Sequence, residues 1–72
     1  MANSTKDIVK YKIKFYRNRQ QLTQEQLGEL SGISPDYISE LERGKKLPSI
    51  KRLDMLAQAL NVAIYKFFIM EE

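Results

Sequence analysis

Apolar residues recur along this chain at helical spacing, not in the alternation of a strand. Between Lys6 and about Gln20, Val9, Ile13 and Tyr16 fall three and four residues apart, which predicts a first helix. The segment "QLTQEQLGELSG" then opens a second. Thr23, with Gln26 three residues later, fits a capping box, and Leu27 and Leu30 give this helix an apolar side. Gly32 can take the left-handed backbone that ends a helix and turns the chain. Ser34 is the expected N-cap of a third helix, with Pro35 at its first position, where the missing N–H is harmless. That helix runs to about Arg43, turns Ile38 and Leu41 inward, and stops at Gly44.

"KKLP" reads as a basic loop. Ser49 caps a fourth helix whose inward stripe is Ile50, Leu53, Leu56, Ala57 and Leu60. Asn61 and Val62 break it, and "IYKFFIM" predicts a short, strongly apolar fifth helix. No stretch alternates like a strand and no segment repeats. The pattern predicts an all-α chain of about five short helices. Residues 1–5, "MANST", are polar and patternless and are expected to be disordered. Residues 6–70 form one domain, with 71–72 as a tail.

Length and composition narrow the chemistry. Seventy-two residues bury a modest core, so stability must come from regular helix packing, a partner subunit, a metal or disulfides. Cysteine and histidine are both absent, which excludes disulfides, thiolate chemistry and the usual soft-metal sites. There is no signal-peptide pattern and no apolar run long enough for a bilayer. The expectation is a soluble intracellular protein with no cofactor. Charge is unevenly distributed. Residues 1–21 hold six bases and one acid, residues 22–42 hold five acids and no base, and residues 43–72 hold six bases and three acids. Such blocks fit a polyanion touched by particular segments, or ordinary solvated helix faces.

The helices at 24–31 and 35–43 are joined by a short turn beginning at Gly32, the arrangement of a helix-turn-helix. Gly28 supplies the small residue needed where the two helices approach. Ile33, Ile38 and Leu41 supply the apolar residues needed after the turn and along the second helix. Singly these features describe any helical hairpin; together they describe this motif.

"LTQEQL", "SGIS", "YISELERG" and "P-S" before a leucine-rich helix resemble the phage-repressor and Cro type of domain, the XRE-like regulators. The resemblance spans about Lys6 to Phe68. Stand-alone restriction–modification controllers and small phage or plasmid repressors are the kinds most similar. It implies a five-helix, lambda-repressor-like fold, with its third helix in the major groove of double-stranded DNA. It further implies a cytoplasmic, bacterial, phage or plasmid-encoded transcription regulator, with no small-molecule effector expected.

The resemblance also implies roles for individual residues. Gln24, Arg43, Lys45 and Lys46 would contact phosphates, with Lys10 or Lys14 as further contacts. Pro35, Asp36, Tyr37, Ser39 and Glu40 would form the base-reading surface. Family members often carry Arg, Gln, Thr or Ser at the first two of these positions, so their usual base contacts do not transfer to Pro35 and Asp36. Glu42 would pair with Arg17 in a partly buried structural ion pair. The C-terminal end would form a two-fold dimer contact.

Three acids in a helix meant for a polyanion need an account. Glu42 has Arg17. Asp36 sits in the first turn, where the helix dipole favours a carboxylate by about 0.3–1 kcal/mol. Glu40 faces out, and either accepts a hydrogen bond from cytosine N4 or is simply solvated. Affinity on this reading comes from phosphate neutralisation, and the third helix selects. Ile64, Phe67, Phe68, Ile69 and Met70 are more apolar side chains than one short helix buries in a small monomer. Phe67 is expected in the core, and Ile64, Phe68 and Ile69, with Met55, in a homodimer interface. Phe15 would be covered by the tail.

The expected function is a dimeric, sequence-specific regulator on a pseudo-palindromic operator. The competing class is a protein-interaction module, an antirepressor or scaffold, which the acidic middle segment favours. An enzyme is not expected: there is no histidine, cysteine or glycine-rich phosphate loop, and Tyr11, Tyr16, Tyr37 and Tyr65 read as packing or surface aromatics.

Overall fold

Each of the four α-helices begins on a side chain that closes its first turn. In the computed structural model, which describes residues 4–70, α1 spans Thr5–Arg19, α2 Gln24–Ser31, α3 Pro35–Glu42 and α4 Ile50–Leu60. Ser4, Thr23, Ser34 and Ser49 each accept a hydrogen bond from the backbone N–H three residues on. At α2 the box is reciprocal: Gln26 N–H donates to Thr23 Oγ1 at 3.0 Å and Thr23 N–H to Gln26 Oε1 at 2.8 Å. Such caps contribute about 1 kcal/mol apiece.

The helix ends follow the residues as well. Gly32 ends α2 at φ 78° and Gly44 follows α3 at φ 77°, both in the left-handed region that favours glycine. Asn61 takes the same conformation to end α4. Residues 1–3 of the N-terminal stretch expected to be disordered, and the tail at 71–72, lie outside the described residues. Ser4 and Thr5 already belong to the cap and first turn of α1.

One core joins these elements. Val9, Ile13 and Tyr16 of α1 meet Leu27, Ile33, Ile38 and Leu41 of the α2–α3 unit, and Leu53, Leu56, Ala57 and Leu60 of α4. α2 packs on α3 and α4, while α1 closes the other side against α3 and the C-terminal segment. The predicted fifth α-helix is instead a single 3-10 helix, Ile64–Phe68, which is too short to present a continuous face. It drops Phe67 into the core, with its ring edge-on to Tyr16 at 6.1 Å.

Two residues of the expected apolar stripes are exposed. Leu30 is 60 % exposed because α2 buries Leu27, Gly28 and Ser31, a face about 100° away around the helix. Ile50 is 67 % exposed because it opens α4 ahead of the core, where Pro48 is the buried side chain. Conversely, Lys12 is buried, with its ammonium 4.9 Å from both the Phe15 and Tyr16 ring centres. Phe15 is half-buried, stacked on Tyr11 at 5.9 Å and edge-on to Tyr16 at 5.2 Å.

Candidate nucleic-acid interface

The α2–α3 unit is set by close approach at Gly28. A Cβ there would stand 2.8 Å from the Ile33 carbonyl oxygen and 3.1 Å from Pro35 Cγ, so only glycine admits this spacing. The turn between the helices is tied by Ser31, whose Oγ accepts the Ile33 N–H at 3.2 Å and donates to the Gly28 carbonyl at 3.5 Å. Sequence reading gave Ser31 no role. A small polar residue just before the turn glycine was the available signal.

This packing places the outer side of α3 in solvent. Pro35 and Asp36 are exposed, and Tyr37, Ser39 and Glu40 are half-buried. A cleft of about 370 Å³ separates the starts of α2 and α3, lined by Thr23, Gln24, Glu25, Pro35, Asp36 and Ser39. Gln24, the expected phosphate contact, therefore shares a cleft with three of the expected base readers. At the other end of α3, Arg43, Lys45 and Lys46 are exposed. Arg43 Nε donates to the Ser39 carbonyl of its own helix at 3.4 Å. Of the two lysines left open on α1, Lys10 reaches this loop: its Cδ lies 2.9 Å from where a Cβ on Gly44 would stand. Lys14 instead lines a shallow groove with Tyr11, Phe15, Asn18 and Arg19.

Beneath the surface, Arg17 and Glu42 meet fork to fork. Arg17 Nε donates to Glu42 Oε2 at 2.6 Å and Nη2 to Oε1 at 2.9 Å, while Nη1 donates to the Leu22 carbonyl at 2.7 Å. The side chains are only 11 % and 4 % exposed. The bond to Glu42 raises the Arg17 pKa above its ordinary value, against the opposing effect of burial. Gln24 Nε2 also donates to Glu42 Oε1 at 3.1 Å, a bond that sequence reading missed. An amide nitrogen carries two hydrogens, so Gln24 keeps a donor for an outside acceptor.

Glu40, expected either to read a base or to be solvated, has a partner on the protein. Its Oε1 pairs with Lys46 Nζ at 3.0 Å. The same ammonium lies 5.2 Å from the Tyr37 ring centre, and the Arg52 guanidinium carbon lies 5.1 Å from it. Tyr37 thus meets both a loop lysine and an arginine of α4. Arg52 had no assigned role, because nothing local connects it to Tyr37.

The residues proposed for self-association are spread over two regions. Ile64 is half-buried, and Phe68 and Ile69 are 37 % and 41 % exposed. Met55 is half-buried against the turn, its methyl 3.7 Å from where a Cβ on Gly32 would stand. Among the described residues no acidic cluster is arranged to hold a metal, and no helix is long and apolar enough to cross a membrane.

An all-helical domain with a glycine turn between two capped eight-residue helices, the second open along its outer side, is a DNA-binding helix-turn-helix regulator in class. The chain belongs to the helix-turn-helix family HTH_3, which matches residues 13–67. It is 39 % identical over 61 residues to the control protein C.SmaI of Serratia marcescens, covering 85 % of this chain and 73 % of that one. It is 36 % identical over 53 residues to the immunity repressor protein of Bacillus phage phi105, covering 74 % of this chain and 37 % of that protein. The crystal structure of the restriction–modification controller protein C.AhdI from Aeromonas hydrophila superposes with a TM-score of 0.84 at 28 % identity, over 88 % of this chain and 96 % of that one.

Proposed function

We propose that the protein binds a pseudo-palindromic operator as a homodimer and regulates transcription by occupying it. Pro35, Asp36, Tyr37, Ser39 and Glu40 would face the base edges in the major groove. Gln24, Arg43, Lys45 and Lys46 would hold the phosphates on either side, with Lys10 beside the Gly44 loop as an auxiliary contact. Arg17 and Glu42 would fix α1 to α3 from below and orient Gln24 from within. The observation that carries this reading is the open outer side of α3, flanked by Gln24 at one end and by a basic loop at the other.

Two-fold symmetry would place the two copies of α3 about one DNA turn apart, roughly 34 Å. Ile64, Phe68 and Ile69, with Met55, would form the contact between subunits. Its mechanism needs no bond chemistry: binding is occupancy, and its strength follows counterion release. Selecting bound duplexes from a random pool tests the reading. Enrichment of an inverted repeat supports it, and enrichment of nothing refutes it.

A protein-interaction role has one observation in its favour. Leu30 is exposed on α2, which also exposes Glu25 and Glu29, and an exposed apolar residue and two acids are unsuited to phosphates. Absence of any salt-dependent binding to duplex DNA would favour that role.

A further inference from the structure

Lys46 is poorly placed to act as a constitutive phosphate contact. Its ammonium is folded back over the base-reading side of α3, with Glu40 Oε1 at 3.0 Å and the Tyr37 ring beneath it at 5.2 Å. Tyr37 and Glu40 stand three residues apart on one helix and so share a side. Arg52 packs on the same ring at 5.1 Å and holds that side in place. The charge Lys46 would offer a phosphate is compensated by the carboxylate of a residue assigned above to the base-reading surface. The lysine and glutamate side chains are 51 % and 36 % exposed, so the pair is solvated and weak, and can exchange partners.

We propose that Glu40 makes Lys46 a conditional phosphate contact, released only when a base takes the carboxylate. This rests on the DNA-binding reading above. In the major groove cytosine N4 and adenine N6 are hydrogen-bond donors, and a carboxylate accepts from such an amine. Where the sequence presents one opposite Glu40, the acid moves to the base edge and the ammonium turns to the nearest phosphate. Where it does not, the pair stays closed and Lys46 neutralises nothing on the DNA. One residue pair thus links base reading to backbone grip. It also explains why an acid is tolerated on a surface meant for a polyanion. Glu40 lowers affinity for the wrong sequence more than for the right one.

Arg43 provides the internal contrast. Its guanidinium bonds a backbone carbonyl, not an acid, so its charge is available on any duplex.

Salt titration separates the two kinds of contact, because each neutralised phosphate adds about 0.9 to the slope of log K against log salt on duplex DNA. The experiment uses wild type, Glu40→Gln, Lys46→Met and the double variant, each titrated on a selected operator and on a scrambled duplex. The expected result has three parts. Glu40→Gln steepens the scrambled-duplex slope by about 0.9, so its affinity falls about threefold more than wild type between 50 and 200 mM salt. Lys46→Met leaves that slope alone but lowers the operator slope by the same amount. The double variant behaves like Lys46→Met on scrambled duplex.

The proposal is overturned if Glu40→Gln leaves the scrambled slope unchanged, or if Lys46→Met lowers both slopes equally. It is also overturned if Glu40→Gln acts as strongly with Lys46 gone, because Glu40 then repels phosphates directly. Failure of the DNA reading looks different: wild type would then show no salt-dependent binding to either duplex.

Discussion

Arg17 on α1 and Glu42 at the end of α3 are joined by two hydrogen bonds of 2.6 and 2.9 Å across 25 residues of sequence. The pair does more than tie two helices. Glu42 Oε1 also accepts from Gln24 at the start of α2, so one carboxylate ties three helices together through a residue that lines the cleft between α2 and α3.

Removing one partner should therefore be costly. Arg17→Ala leaves Glu42 charged and 4 % exposed, and we expect a loss on the order of 3 kcal/mol. For a chain of this length that is a large part of the total stability. Arg17→Met with Glu42→Leu should recover most of the loss, since apolar replacement removes the stranded charge. Urea denaturation of the two variants measures both effects. If Arg17→Ala unfolds like wild type yet loses DNA binding, the arginine contacts phosphate and the structural assignment is wrong.

Gly28→Ala tests the approach of α2 to α3. Alanine favours a helix interior over glycine by about 1 kcal/mol. Here the added methyl would lie 2.8 Å from a backbone carbonyl, which cannot swing aside as a flexible side chain does. Overpacking of this kind costs about 1–3 kcal/mol, so the steric effect should win. A lower thermal midpoint is expected, together with weaker binding, because Pro35 moves with the strain. An alanine variant as stable as wild type would mean that the helices can separate without loss.

Arg43→Ala and Lys45→Ala address the part of the grip that does not depend on sequence. Each should weaken binding to operator and scrambled duplex alike and lower the salt slope by about 0.9. Fluorescence anisotropy at several salt concentrations reads both quantities. An unchanged slope in both variants would put the phosphate contacts elsewhere on the molecule.

What sequence made legible was local. Thr23 with Gln26, Ser34 with Pro35, Ser49, Gly32 and Gly44 each act within one turn of the chain, so residue type and spacing suffice to place the ends of α2, α3 and α4. The errors came from faces and from distance. Leu30 and Ile50 are apolar and close to helical phase, but an eight-residue helix and a helix's first turn do not bring every apolar side chain to the core. Lys12 looks solvated in sequence. Its burial depends on rings three and four residues later, and that spacing was the one available signal. The Glu40–Lys46 pair and the Arg52–Tyr37 contact cross element boundaries and had no sequence counterpart. The Gln24–Glu42 bond crosses elements in the same way and was likewise not legible in the sequence.

Phe68→Glu tests the proposed dimer. Phe68, Ile69 and Met70 are 37 %, 41 % and 43 % exposed, at the end of and just after a 3-10 helix that buries only Phe67. A small domain has little apolar area to leave in water, and each 100 Å² hidden between two copies is worth about 2.5 kcal/mol before association entropy is subtracted. Covering this end would therefore stabilise each subunit as well as join the pair, and the apparent stability should rise with protein concentration. A glutamate at position 68 would bring two like charges into one apolar contact across the two-fold axis. Sedimentation should then show a monomer, with a lower melting temperature that no longer depends on concentration. Operator affinity should fall to that of a single half-site while the preferred half-site sequence stays the same, because α3 is untouched. A Phe68→Glu protein that sediments as a dimer with an unchanged midpoint would move the interface to another apolar surface, and the Tyr11–Phe15 stack on α1 is the next to examine.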